Sequence, residues 1–146
     1  MGAAPWLDTV RHPRRPCLRH PRLKRGVSPN AFYREFAALA NRAGRRGFVF
    51  AYKIFLSNRM HAKHCANARS FAQVDIRYRI FEFAPEVLFL ARKFRLGLIA
   101  HEIGHVIAGS KGSEADADSA AAAYLGVRIG YDMRFPGKGL QVARSR

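Results

Sequence analysis

Residues 95–118 read RLGLIAHEIGHVIAGSKGSEADAD, and the fold turns on how that stretch divides into helices. Leu96, Ile99, Ile103, Val106 and Ile107 recur at helical spacing, which predicts an amphipathic helix from about Arg92 that Gly109 stops. Ser113 is a good N-cap. Glu114 and Asp116 in the turn after it suit the positive end of a helix dipole, so a second helix is expected from there to Gly126.

His101 and His105 stand four apart on the first helix, so both imidazoles leave one face, one turn from each other. That geometry lets two nitrogens reach one Zn²⁺ at about 2.0–2.1 Å. Glu102 lies one residue round the helix, too far to be the natural third ligand but placed to take a proton from a water that the metal activates. Glu114 and Asp118 are also four apart, hence on one face of the second helix. Ala117, Ala120, Ala121 and Ala122 leave little bulk to keep that helix from packing on the histidine helix. Close packing would bring Glu114 to the metal as third ligand and Asp118 to the free N–H of a ligand histidine, His101. Asp116 or Asp118 remains an alternative ligand, because only eight residues separate His105 from Glu114 and the turn over 109–112 must be tight. The bland readings are a structural histidine pair and an acidic first turn that only compensates a dipole; neither explains the pairing.

The segment HEIGH followed by Glu114, Ala117 and Asp118 resembles the gluzincin pattern, H-E-x-x-H with a downstream E-x-x-A-D. It is similar in outline to thermolysin-like folds and more closely to the short ImmA/IrrE-like metallopeptidase domains of bacteria and their phages. The resemblance covers residues 96–132 well and the strands before them in outline. It implies zinc held by His101, His105 and Glu114, Glu102 as general base, and hydrolysis of a peptide bond, with a regulatory protein as one substrate class.

Upstream, Ser28 and Pro29 make an N-cap and first-turn pair, and Phe32, Phe36, Leu39 and Ala40 continue at helical spacing to Gly44 or Gly47. Phe48 to Leu56 (FVFAYKIFL) reads as a buried strand, and the polar stretch Ser57 to Ser70 as a loop. Val74, Ile76, Tyr78 and Ile80 alternate with Asp75, Arg77 and Arg79 as in a half-buried strand; the slip at Phe81 is expected to mark a bulge or the strand's end. The strand ending near Phe83 could offer its edge to an extended peptide. His61, His64 and Cys65 are metal-ligand types, but in a basic loop without a further partner they are assigned no metal. The expected fold is α+β, zincin-like: an N-terminal helix, a small antiparallel sheet, then the HExxH helix and the acidic helix.

The chain holds 26 Lys and Arg against 10 Asp and Glu, a net charge of +16, yet residues 101–132 carry five acidic and two basic residues. An acidic island in a basic chain suits a divalent cation. The basic excess keeps nucleic acid among the expected partners, beside a protein or peptide substrate. The alternative function is therefore a basic DNA-associated or interaction protein whose zinc is structural or whose site does not turn over. The Pro/Arg-rich residues 1–27 read as a disordered basic tail, 28–135 as the metallopeptidase domain, and 136–146 as a flexible basic tail. Gly137, Lys138 and Gly139 read as a flexible turn rather than a phosphate loop, and Tyr131 and the arginines are candidate oxyanion donors. Cys17 and Cys65 lie in unlike contexts, so a disulfide framework is not expected. A cytoplasmic location follows from that, with no export signal read. Arg92, Lys93 and Arg95 interrupt the one apolar run, which argues against a membrane span.

Overall fold

The computed structural model describes residues 7–8, 26–48, 52–67 and 70–129. Tyr131, the 136–146 tail and the Gly137–Gly139 turn lie outside them, as do residues 1–6 and 9–25 of the expected basic tail. Within that tail Leu7–Asp8 form a two-residue strand, β1. Val27 is also docked, its N–H donating to Leu88 O at 2.9 Å.

The class is α+β. Helix α1 runs Pro29–Arg45, its first turn capped by Ser28 Oγ, which accepts from Ala31 N–H at 3.0 Å. Its apolar stripe buries Phe32, Phe36, Leu39 and Ala43 against the sheet. There the rings meet edge to face, Phe32 on Phe83 at 5.0 Å and Phe36 on Phe81 at 4.9 Å between centroids.

Strands β2 (Lys53–Leu56), β3 (Ala72–Asp75) and β4 (Ile80–Phe83) complete a sheet of order β1-β2-β4-β3. The sheet is mixed, not antiparallel: β2 pairs with β4 in parallel, Leu56 opposite Phe83, while β3 pairs with β4 antiparallel, Ala72 opposite Phe83. A parallel pair needs a crossover, and helix α2 (Asn58–Asn67) supplies it. This helix replaces the loop expected over 57–70. Its sequence hid it because only Met60 and His64 are buried, too few to make a visible apolar stripe. The cap is Ser57 Oγ, which accepts from Arg59 N–H at 3.1 Å.

The single strand expected from Val74 through Ile80 is a hairpin with a turn at residues 76–79. Asp75 Oδ1 accepts from Tyr78 N–H at 2.9 Å, and Arg79 takes a left-handed φ of 56°. Tyr78 is 64% exposed, so it was never on the apolar face, and the slip at Phe81 is the register of a new strand rather than a bulge. β4 consequently lies inside the sheet. The edge expected near Phe83 belongs instead to β3.

A 3₁₀ turn, Pro85–Phe89, leads into helix α3, Arg92–Ala108, which Gly109 ends at φ 91°. Buried Arg95 ties α3 to α1, its Nη2 donating to Glu35 Oε2 at 2.7 Å and its Nη1 to Leu90 O at 2.7 Å. Helix α4 follows at Glu114–Ala120 and continues as a π turn, Ala121–Leu125, that Gly126 closes in the left-handed region. Cys65 is disulfide-bonded, although no disulfide framework was expected. No helix among the described residues is long and apolar enough to cross a membrane.

Candidate metal centre

The first local condition for the site is the approach of α4 to α3. A Cβ on Gly104 would lie 2.2 Å from Ala117 O, so the glycine of the HEIGH segment is what lets the two backbones touch. Ala117 and Ala121 are fully buried on the other side of that contact. The second condition is the short connection. Gly109 supplies a positive φ, Gly112 N–H donates back to Gly109 O at 3.0 Å, and a Cβ on Gly112 would meet Ala108 Cβ at 2.8 Å. Eight residues are therefore enough to return the chain to His105.

α4 then starts on a capping box. Asp116 N–H donates to Ser113 Oγ at 3.1 Å, and Ser113 N–H donates to Asp116 Oδ2 at 2.8 Å. These bonds hold the Asp116 carboxyl below the usual carboxylate range and commit it to the cap. Of the alternatives for the third donor, Asp116 is thus turned to its own helix terminus and Glu114 to the histidines.

His101 Nε2, His105 Nε2 and Glu114 Oε2 converge. The separations are 2.6 Å from His101 to Glu114, 3.2 Å from His105 to Glu114 and 3.1 Å between the two nitrogens. On the far side of the His101 ring, Nδ1 is 2.7 Å from Asp118 Oδ1. Burial opposes charge on His101, but the Asp118 hydrogen bond and the negative charges of Glu102, Asp118 and Glu114 outweigh it and raise the ring above the usual histidine range. Protonated, His101 donates from both nitrogens, Nδ1–H to Asp118 and Nε2–H to Glu114. Burial likewise works against a charged Glu114, and the two histidines outweigh it, holding that carboxyl low.

Whether this donor set fits zinc follows from the same geometry. Asp118 keeps the proton on Nδ1 of His101, which leaves Nε2 as the lone pair once its own proton is lost. Two ring nitrogens and one carboxylate oxygen then face a common point. Tetrahedral zinc with bonds of about 2.0–2.1 Å would hold such atoms roughly 3.3 Å apart, within a few tenths of an ångström of two of the three separations. The residues fit a zinc ion with three protein ligands.

Glu102 stands outside that triangle, as its place one residue round α3 requires, and lines the same cleft. Burial pushes its carboxyl up to about 7, with His101 pulling the other way and Glu114 adding to the rise. A carboxyl poised there exchanges a proton near neutral pH. The cleft has a volume of about 420 Å³ and is also lined by Ala72, Gln73, Val74 and Ile76. Part of its wall is thus the edge strand β3. That wall, and the part played by Gly104, escaped the sequence reading, although a glycine at the centre of an otherwise apolar helix stripe is a signal of close backbone approach.

Compared with protein-family models, with curated proteins and with solved structures, the chain matches none.

Proposed function

We propose that the chain is a zinc-dependent hydrolase of peptide bonds, with His101, His105 and Glu114 as the metal ligands and Glu102 as general base. The observation that carries the reading is the convergence of three lone-pair donors within 3.2 Å of one another beside a buried carboxyl raised to about 7. Bound there, zinc would supply Lewis acidity to a substrate carbonyl and to the attacking water. Glu102 would take a proton from that water on its carboxylate oxygen and return it to the leaving amine. Asp118 keeps His101 in the tautomer that presents Nε2, and β3, an edge strand among the described residues, offers its outer side to an extended peptide as an added strand.

A purely structural zinc is disfavoured by the surroundings. Structural sites are closed by four protein ligands, whereas three converge here among the described residues, and the Glu114 side chain is 77% exposed at the cleft mouth. The net charge of +16 supports nucleic acid as a second partner, and a strong loss of DNA binding between low and high salt would support that reading.

The test is cleavage of a mixed peptide library, read by mass spectrometry, before and after chelation and zinc add-back. Cleavage that stops on chelation and returns with zinc supports the proposal. Cleavage indifferent to the chelator contradicts it.

A further inference from the structure

A second set of metal-ligating side chains meets outside the cleft. His61 and Cys65 stand four apart on α2, so they leave one face of the helix, the same spacing that pairs His101 with His105. Against that face packs the 3₁₀ turn, which contributes the fully buried Glu86. Glu86 Oε2 is 2.7 Å from His61 Nδ1, and Cys65 Sγ is 3.7 Å from His61 Nε2 and 3.8 Å from Nδ1. One donor atom from each of the three lies within 4.8 Å of the other two. None of the three lines the cleft at Glu102.

The two separations from His61 are close to those a cation would impose. Zinc bonds of about 2.3 Å to sulfur and 2.0–2.1 Å to nitrogen put a thiolate and an imidazole nitrogen roughly 3.5 Å apart, so the sulfur needs to move only a few tenths of an ångström. The Glu86 oxygen would have to open from His61 by about half an ångström. Carboxylates are kept in a protein interior by paired charge or by a metal, and both fit here. What decides between them is the sulfur. Cys65 is disulfide-bonded, and a disulfide sulfur lacks the thiolate charge that makes cysteine a zinc ligand.

We propose that reduction of this disulfide converts His61, Cys65 and Glu86 into a second site for a thiophilic divalent cation of the zinc class, independent of His101, His105 and Glu114. The step balances with a dithiol reductant. Its two electrons cleave the S–S bond, each released sulfur takes a proton, and the dithiol closes to its own disulfide. On binding, the cation displaces the Cys65 Sγ proton to solvent. Reoxidation by a disulfide oxidant, which takes the two electrons and the two protons and is itself reduced to a dithiol, removes the thiolate and with it the ion, so occupancy reports the redox state around α2.

The experiment uses the full chain, stripped of metal and titrated with Co²⁺ in oxidised form and after phosphine reduction. The readouts are the near-ultraviolet sulfur-to-cobalt charge-transfer band and bound metal per chain. Reduced protein is expected to show the band and about one more ion per chain than oxidised protein. Cys65→Ser removes both; His61→Ala and Glu86→Gln each weaken the added site by roughly tenfold or more. Because the band requires sulfur, it persists in His101→Ala, which separates this site from the first. Reduced wild type without the band overturns the proposal. So does a band of undiminished affinity in both His61→Ala and Glu86→Gln, which would mean that sulfur binds the ion without the other two.

Discussion

Helices α2 and α3 each carry two ligand-type side chains four residues apart, and each pair is completed by a glutamate from a later element, Glu86 of the 3₁₀ turn or Glu114 of α4. The pairs differ in everything around that triangle. At α3 the glutamate is exposed at a cleft of about 420 Å³, a further carboxylate orients the first histidine, and Glu102 stands beside the donors with a raised pKa. At α2 the glutamate is wholly buried, and the sulfur is held in a covalent bond. Spacing along a helix therefore pairs two ligand-type side chains in both places; access and an adjacent proton acceptor are what our proposals take to suit the first to chemistry and the second to holding an ion.

The largest expected effect separates the two glutamates of the cleft. Glu102→Gln should retain zinc and lose about 10²–10⁴-fold in hydrolysis, because only the proton acceptor is gone. Glu114→Gln should lose the metal first. Equal zinc loss in both variants would erase the distinction between base and ligand.

Gly104→Ala comes next. Overpacking of this kind costs about 1–3 kcal/mol, which outweighs the roughly 1 kcal/mol that alanine gains over glycine in a helix. The helices must part, so zinc affinity should fall together with the melting temperature. Gly44, near the end of α1, has nothing within 4 Å of an added Cβ, so Gly44→Ala should raise stability by about 0.5–1 kcal/mol. Both substitutions read by thermal melting test whether backbone contact, rather than helix propensity, governs α3.

Asp118→Ala removes the acceptor on His101 Nδ1 and should weaken zinc about 10–100-fold without abolishing it. An unchanged affinity would mean that the 2.7 Å contact does not hold the tautomer. Asp116→Ala should have the smallest effect, costing about 1 kcal/mol of stability through the lost cap while zinc affinity holds within a few-fold. Zinc loss as deep as in Glu114→Gln would reopen Asp116 as a ligand.

Most of the α3–α4 unit was legible because its signals are local. Helical periodicity, Ser113 as cap, and Gly109 and Gly126 as stops each act over a few residues, and all fall where expected. The sheet was harder. The turn at 76–79 contains no Gly, Pro or Asn, and its alternating Ile76 and Tyr78 continue the pattern of the strand before it. Only the Asp75 side chain and a strained Arg79 make it turn. The parallel pairing of β2 with β4 depends on α2, whose sparse apolar content concealed it, and the same oversight hid the meeting of His61, Cys65 and Glu86. That cluster requires a contact between residues 21 and 25 positions apart in sequence, which periodicity does not reveal.

The most direct test is the zinc content of purified, oxidised protein by elemental analysis, for wild type, His101→Ala and Glu114→Ala. The account expects about one zinc per chain in the wild type and loss of it in both variants. Wild type that binds no zinc after reconstitution, or variants that bind as much as wild type, would contradict the assignment of the α3–α4 cleft as a metal centre.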